Sequence, residues 1–107
     1  MADMINSSLQ SLWGNGISEL MERKDITEIY VNDDGYIRYQ SYKEGKVKTD
    51  ISLSPDKIQA IIEILAGQVG KVVNEDIPSI STEIRGYGAR FQGEIPPIVR
   101  NPQFNIR

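Results

Sequence analysis

Four arginines, Arg85, Arg90, Arg100 and Arg107, mark the last stretch of the chain, and residues 83–107 contain no lysine. Before that point lysine outnumbers arginine six to two. A guanidinium is a planar fork of donors that grips a carboxylate or phosphate through two parallel bonds, whereas a lysine ammonium is a mobile point charge. Such a segment has the chemistry of anion recognition. Arg90 stands in Gly88-Ala-Arg-Phe-Gln-Gly93, where glycines on both sides would let a backbone come close to a ligand. Arg107 closes an alternating Phe104-Asn-Ile-Arg107 run. Arg90 and Arg107 are the candidates for phosphate contact, with Arg100 between them; Arg85, beside Ile84 and a glycine turn, reads as a surface residue.

The elements that must position these side chains are legible from pattern. Leu9, Leu12, Trp13, Ile17, Leu20 and Met21 recur at helical spacing, with capping oxygens offered by Asn6-Ser-Ser and a kink or break expected at Gly14 or Gly16. Thr27–Val31 alternates as a half-buried strand, Asn32-Asp-Asp-Gly35 is a hairpin turn and Tyr36–Tyr39 the return. A second turn at Lys43-Glu-Gly-Lys46 leads to a third strand over Val47–Leu53. Ser54-Pro55-Asp56 is a helix start: cap, proline in the first turn, and an acid at the positive end of the dipole. Ile58, Ile61, Ile62 and Leu65 follow on one face, with Gly67 and Gly70 as terminators. Ser79–Ile84 and Ala89–Gln92 read as strands about a Gly86-Tyr-Gly88 turn. Pro96-Pro97 marks an edge or corner, and Phe104–Arg107 is a last strand. The order predicts an α+β domain with a mainly antiparallel sheet and helices packed on one face.

Composition narrows the function. The 107 residues are enough for one domain with a modest core, and 39% apolar with 25% charged residues is ordinary for a folded protein. The net charge of −3 argues against a general nucleic-acid binder. Charge is uneven: residues 1–82 carry eight basic and 13 acidic groups, residues 83–107 four basic and two acidic. A local positive region on an acidic body suits a compact anion site. There is no cysteine and no histidine, which removes thiolate, zinc and imidazole chemistry. No apolar run reaches the ~18 residues of a bilayer span and no signal layout opens the chain, so a soluble, cytoplasmic protein is expected. Asp33 and Asp34 serve turn geometry, and no metal site is expected. No phosphate-cradling glycine loop runs into a helix, and Gly86-Tyr-Gly88-Ala-Arg90 lacks the third glycine of a dinucleotide site. An independent enzyme is therefore not expected.

Several stretches together resemble the N-terminal domain of the secretion traffic ATPases, in the conjugal-transfer branch of the type IV secretion family. They are Asp25-Ile-Thr-Glu-Ile-Tyr-Val-Asn32 with its Asp-Gly turn, the helix over 55–66, Asn74–Pro78, Thr82-Glu-Ile84, Gly88-Ala-Arg-Phe-Gln-Gly93, Pro96-Pro97 and Pro102-Gln-Phe-Asn-Ile-Arg107. The resemblance covers essentially the whole length and implies that residues 1–107 are a single N-terminal domain. A RecA-like P-loop domain would follow it and is absent from this chain, which would be the front piece of a larger protein. It further implies a cytoplasmic ATPase that forms a hexameric ring at the inner-membrane base of a transfer machine. ATP lies between the two domains, with Mg2+ held by the missing one, and arginines of the N-terminal domain reach the terminal phosphate. Arg90 and Arg107 match those positions, with Arg100 a further candidate; Arg85 stands where relatives have proline. This chain alone would not hydrolyse ATP or hold it tightly, and no direct nucleic-acid contact is expected. The alternative is a non-catalytic interaction module of a secretion or pilus apparatus, whose arginines line a protein interface.

Overall fold

A computed structural model describes residues 2–84 and 86–107, with side chains from Leu9 onward except that of residue 10. Arg85 lies outside the described residues. The elements run α1 (Ala2–Glu22), β1 (Ile26–Val31), β2 (Tyr36–Ser41), β3 (Gly45–Ser52), α2 (Pro55–Gln68), β4 (Ser79–Ile84), β5 (Ala89–Glu94) and β6 (Gln103–Ile106). The six strands form one sheet in the order β3-β2-β1-β6-β5-β4. Every pairing is antiparallel. The meander β1–β3 and the hairpin β4–β5 are local structures. The last strand, β6, joins them by inserting between β1 and β5. The expected α+β class is what the chain adopts.

One face of the sheet carries the core. Ile29, Val31, Ile37, Tyr39, Phe91, Phe104 and Ile106 are buried there, against Trp13, Ile17 and Leu20 of α1 and Ile58, Ile61, Ile62 and Leu65 of α2. Phe91 and Phe104 lie in tilted contact, ring centroids 5.3 Å apart. The two helices therefore share one side, as the strand alternation requires.

The helix ends follow their sequence signals in part. Ser54 caps α2, its Oγ accepting from the Lys57 amide at 3.3 Å, with Pro55 and Asp56 in the first turn. Gly70 ends it: at φ +71° it lets the Lys71 amide donate to the Ala66 carbonyl (2.9 Å) and its own amide to Gly67 (3.2 Å). Gly67 stays inside the helix. In α1 the expected break falls at Gly14, whose φ of 76° and ψ of 179° are not helical. The expected cap at Asn6-Ser-Ser is overturned, because α1 already runs from Ala2. Ala2, Met4 and Ile5 accept helix geometry and no breaker precedes Asn6, so the helix extends past the polar triplet.

Gly93 corrects a second expectation. Its position after Arg90 suggested room for a ligand, yet it is buried on the helix-bearing face. A Cβ there would stand 2.9 Å from Ile62 Cγ1 and 2.9 Å from Phe91 Cε2. Gly93 is a packing glycine that lets α2 settle on β5. Gly93→Ala is therefore expected to lose about 1–3 kcal/mol by overpacking, measured by urea unfolding; an unchanged midpoint would refute this assignment.

Candidate anion-binding face

Strand alternation decides where the arginines go. Phe91 and Ile106 are paired in register and buried beneath the helices. Their neighbours Arg90 and Arg107 consequently project from the opposite, uncovered face. These two residues exchange both backbone hydrogen bonds, each 2.9 Å. Directly opposed residues of this kind have Cα atoms about 5.5 Å apart. The two guanidinium-bearing side chains thus start side by side on adjacent strands.

The row continues in both directions. Glu83 on β4 is the register partner of Arg90. On the other side, the Glu28 carboxylate of β1 lies 3.6 Å from Arg107 Nε. Beyond Glu28 come Gln40 of β2 and Lys46 of β3. Across the middle of the open face the order is carboxylate, guanidinium, guanidinium, carboxylate. Like charges directly opposite one another repel, so the two arginines are held together by the backbone ladder rather than by mutual attraction. Arg107 is 71% exposed at its side chain, and Arg90, itself exposed, reaches Ser81 Oγ at 3.4 Å. Both retain donor capacity for an anion.

Arg100 is placed elsewhere. It precedes β6 at the end opposite Arg107, and four strand residues span roughly 13 Å. Its neighbour Asn101 donates to the Asp33 carbonyl at 3.2 Å, which ties that loop to the β1–β2 turn. In the same turn Asp34 accepts from the Tyr36 amide (3.0 Å) and pairs with Arg38 (2.8 Å). Asp34 thus serves turn geometry, as its position suggested, and in addition makes an ion pair that the sequence reading did not include. The concavities beside the arginine pair differ in size: the one on the Arg90 side, lined by Ser81 and Gln92 with Lys71, Val72 and Ile77, has about 480 Å³, and two smaller ones lie nearer Arg107. One of about 110 Å³ lies between the end of α1 and the sheet, bordered by Tyr87, Glu28 and Arg107. Another of about 190 Å³ runs along the open face beside Tyr30, Gln92 and Asn105. Both fall short of the roughly 300–1,000 Å³ of self-sufficient ligand pockets. An anion at Arg107 would need a second surface to enclose it.

Glu28 was not among the residues singled out from sequence. Its alternation with Tyr30 on β1 was readable, but its place beside Arg107 depends on β6 pairing with β1, seventy-odd residues away in the chain, which no local pattern encodes.

The start of β1, and with it Glu28, is anchored by a polar cluster. Arg23 at the end of α1 grips the buried Asp25 through two bonds, of 3.1 and 2.6 Å, and also pairs with the Glu44 carboxylate. Its guanidinium lies 5.1 Å from the centre of the Tyr39 ring. Tyr39 donates its hydroxyl to Glu44 at 3.1 Å. Ser41 Oγ donates to Asp25 at 2.6 Å and accepts from the Lys43 and Glu44 amides. The Arg23 hydrogen bonds, with the Ser41 hydroxyl next, hold the Asp25 carboxyl well below the usual carboxylate range. Arg23, then Tyr39, lower that of Glu44.

Comparison with known proteins bears on this arrangement. No protein-family model matches the chain. The conjugal transfer protein TrbB of Rhizobium radiobacter is 29% identical over 99 residues, 92% of this chain and 30% of the relative. The probable conjugal transfer protein TrbB of Sinorhizobium fredii (strain NBRC 101917 / NGR234) is 28% identical over the same extent. The crystal structure of the VirB11 ATPase from the Brucella suis type IV secretion system, in complex with sulphate, superposes with a TM-score of 0.80 at 18% identity. That match covers 96% of this chain and 31% of the other. This chain is thus similar in sequence to conjugal transfer proteins and shares the fold of the matched part of a type IV secretion ATPase. The resemblance read from its motifs is upheld, and the chain spans about 30% of the length of the curated relatives it matches. No helix among the described residues is long and apolar enough to cross a membrane.

The anchoring cluster generates a pH prediction. Carboxylates whose folded pKa is depressed contribute stability that is present above their unfolded values, about 4, and is lost as pH falls through the folded ones. Stability is expected to decline steadily from about pH 4 downward. Asp25→Asn should be less stable at pH 7 and show a shallower acid decline. Urea unfolding at a series of pH values tests this, and parallel curves for the two proteins would refute it.

Proposed function

We propose that this domain supplies Arg90 and Arg107 to the terminal phosphate of an ATP molecule bound at its junction with a RecA-like motor domain of a conjugal-transfer ATPase. The observation that carries the reading is the pairing of two exposed guanidinium groups in one backbone register on a face left open by the helices. Phosphoryl transfer spreads charge over the equatorial oxygens, and paired guanidinium donors fixed on a rigid sheet stabilise that charge without reorganising. The small size of the concavity at Arg107 fits a site completed by a second domain, which would hold the nucleotide and its Mg2+. The similar VirB11 ATPase was solved with sulphate, a tetrahedral anion of phosphate shape. Arg100, at the far end of β6, would serve this site only if the nucleotide extended along the open face. In the same reading the protein is cytoplasmic, works at the inner membrane through the transfer machinery, and assembles as a homo-oligomeric ring of six. Movement of this domain would then report phosphate occupancy.

A second reading, a non-catalytic interaction module, draws support from the β4 edge. Val72 and Ile77 are 64% and 55% exposed beside that open strand. Such a surface suits a neighbouring protein whether or not the arginines meet a nucleotide.

The two readings separate in the intact ATPase. Arg90→Ala or Arg107→Ala is expected to lower kcat on the order of 10²-fold or more, since arginines on a transferring phosphoryl group contribute 10³–10⁵, while the unfolding midpoint stays near that of the parent. Normal turnover with impaired assembly would instead favour the interaction module.

A further inference from the structure

Resting on the reading of Arg90 and Arg107 as an anion site, we propose that Glu28 is a built-in competitor for that anion: it occupies Arg107 when no phosphate is present and releases it when one arrives. The ladder starts the two arginine side chains side by side, from where Arg90 reaches towards Ser81 on β4 and Arg107 towards Glu28 on β1; nothing in the backbone itself relieves the repulsion of two like charges so placed. The row relieves it from the flanks. Glu28 stands 3.6 Å from Arg107 Nε on one side, and Glu83 faces Arg90 in register on the other. A carboxylate and a phosphate oxygen present the same kind of acceptor to a guanidinium fork. Glu28 therefore fills the place a phosphate oxygen would take at Arg107.

The strength of this contact suits a competitor. Arg107 is 71% exposed and the approach is through a single nitrogen, so the pair belongs with the weak, solvent-screened ones. Glu28 is only 23% exposed at its side chain and is fixed on a central strand anchored by the Arg23–Asp25–Ser41 cluster. The carboxylate is thus the stationary partner and the long arginine side chain the one that swings. An anion that bridges both guanidinium groups replaces one weak contact with two and cancels their repulsion. A monoanion touching one arginine replaces like with like. The row consequently favours an anion bearing two or more charges, such as a terminal phosphoryl group, over a single carboxylate.

The test uses the 107-residue chain and inorganic phosphate at 0.15 M ionic strength, with the Nε–H resonances of Arg90 and Arg107 followed by NMR. Phosphate should shift both resonances in the parent chain. Glu28→Gln should tighten phosphate binding about two- to fivefold, the worth of releasing one exposed ion pair. Glu63→Gln, the same charge change on the exposed side of α2 behind the sheet, should leave the affinity as it was. Equal tightening in both variants would reduce the effect to net charge and overturn the role of Glu28. Unchanged or weaker binding in Glu28→Gln, with both resonances still responding, would also overturn it while leaving the anion site standing. If neither resonance moves in the parent or in Glu28→Gln, the anion site itself fails, and this inference with it.

Discussion

The register between β5 and β6 is the constraint on which the rest of this domain depends. Phe91 faces Ile106 and Gly93 faces Phe104, and all four are buried beneath the helices. A slip of one residue would turn the aromatic rings to water and drive Arg90 or Arg107 into the core, a charge burial far costlier than any gain the slip could bring. The hydrophobic face thus decides the position of the arginines without touching them. Gly93 sharpens the same constraint, because α2 reaches the sheet only where β5 lacks a side chain. Packing on one side of the sheet and exposed arginines on the other are two consequences of one alternation.

That arrangement explains why an unfavourable contact persists. Two guanidinium groups directly opposite each other are worth less than an oppositely charged pair, by up to ~1 kcal/mol. The backbone bonds between Arg90 and Arg107, and the aromatic packing behind them, outweigh a term of that size. The flanking carboxylates then set the local field, so the row Glu83, Arg90, Arg107, Glu28 balances in charge while keeping two donor forks. A domain with an acidic body can in this way display a focused positive site without becoming a general binder of polyanions.

What was readable in the sequence divides along the same line. Ser54-Pro55-Asp56 and Ile58, Ile61, Ile62, Leu65 located α2, because a cap and an apolar stripe are local signals. Ser79–Ile84 alternated and became β4 over those very residues. The Asp-Gly turn separated β1 from β2 as expected. The arginine candidates were legible too, since their type and spacing are written in the chain. Their geometry was not. Which strand lies beside which is set by how β6 closes the sheet, and Arg100 and Arg107, seven positions apart, end at opposite ends of that strand. Gly93 shows the reverse error: a glycine beside an arginine looked like ligand space, while the neighbour that required it, Ile62, came from a helix thirty positions earlier.

The sheet face also limits what kind of site the arginines can make. A flat, solvated surface screens each guanidinium, and in water a pair of unit charges at 4 Å attracts by only about 1 kcal/mol. The same pair gains several times that when a covering surface excludes solvent and lowers the effective dielectric constant to about 20. In the proposed reading, Arg90 and Arg107 therefore bind an anion weakly while the face is open and strongly once it is covered. Their contribution scales with closure rather than with their own contacts. A strand-borne arginine pair of this kind couples the position of whatever covers it to the presence of an anion, because neither the cover nor the anion alone produces the low-dielectric contact that makes the interaction strong.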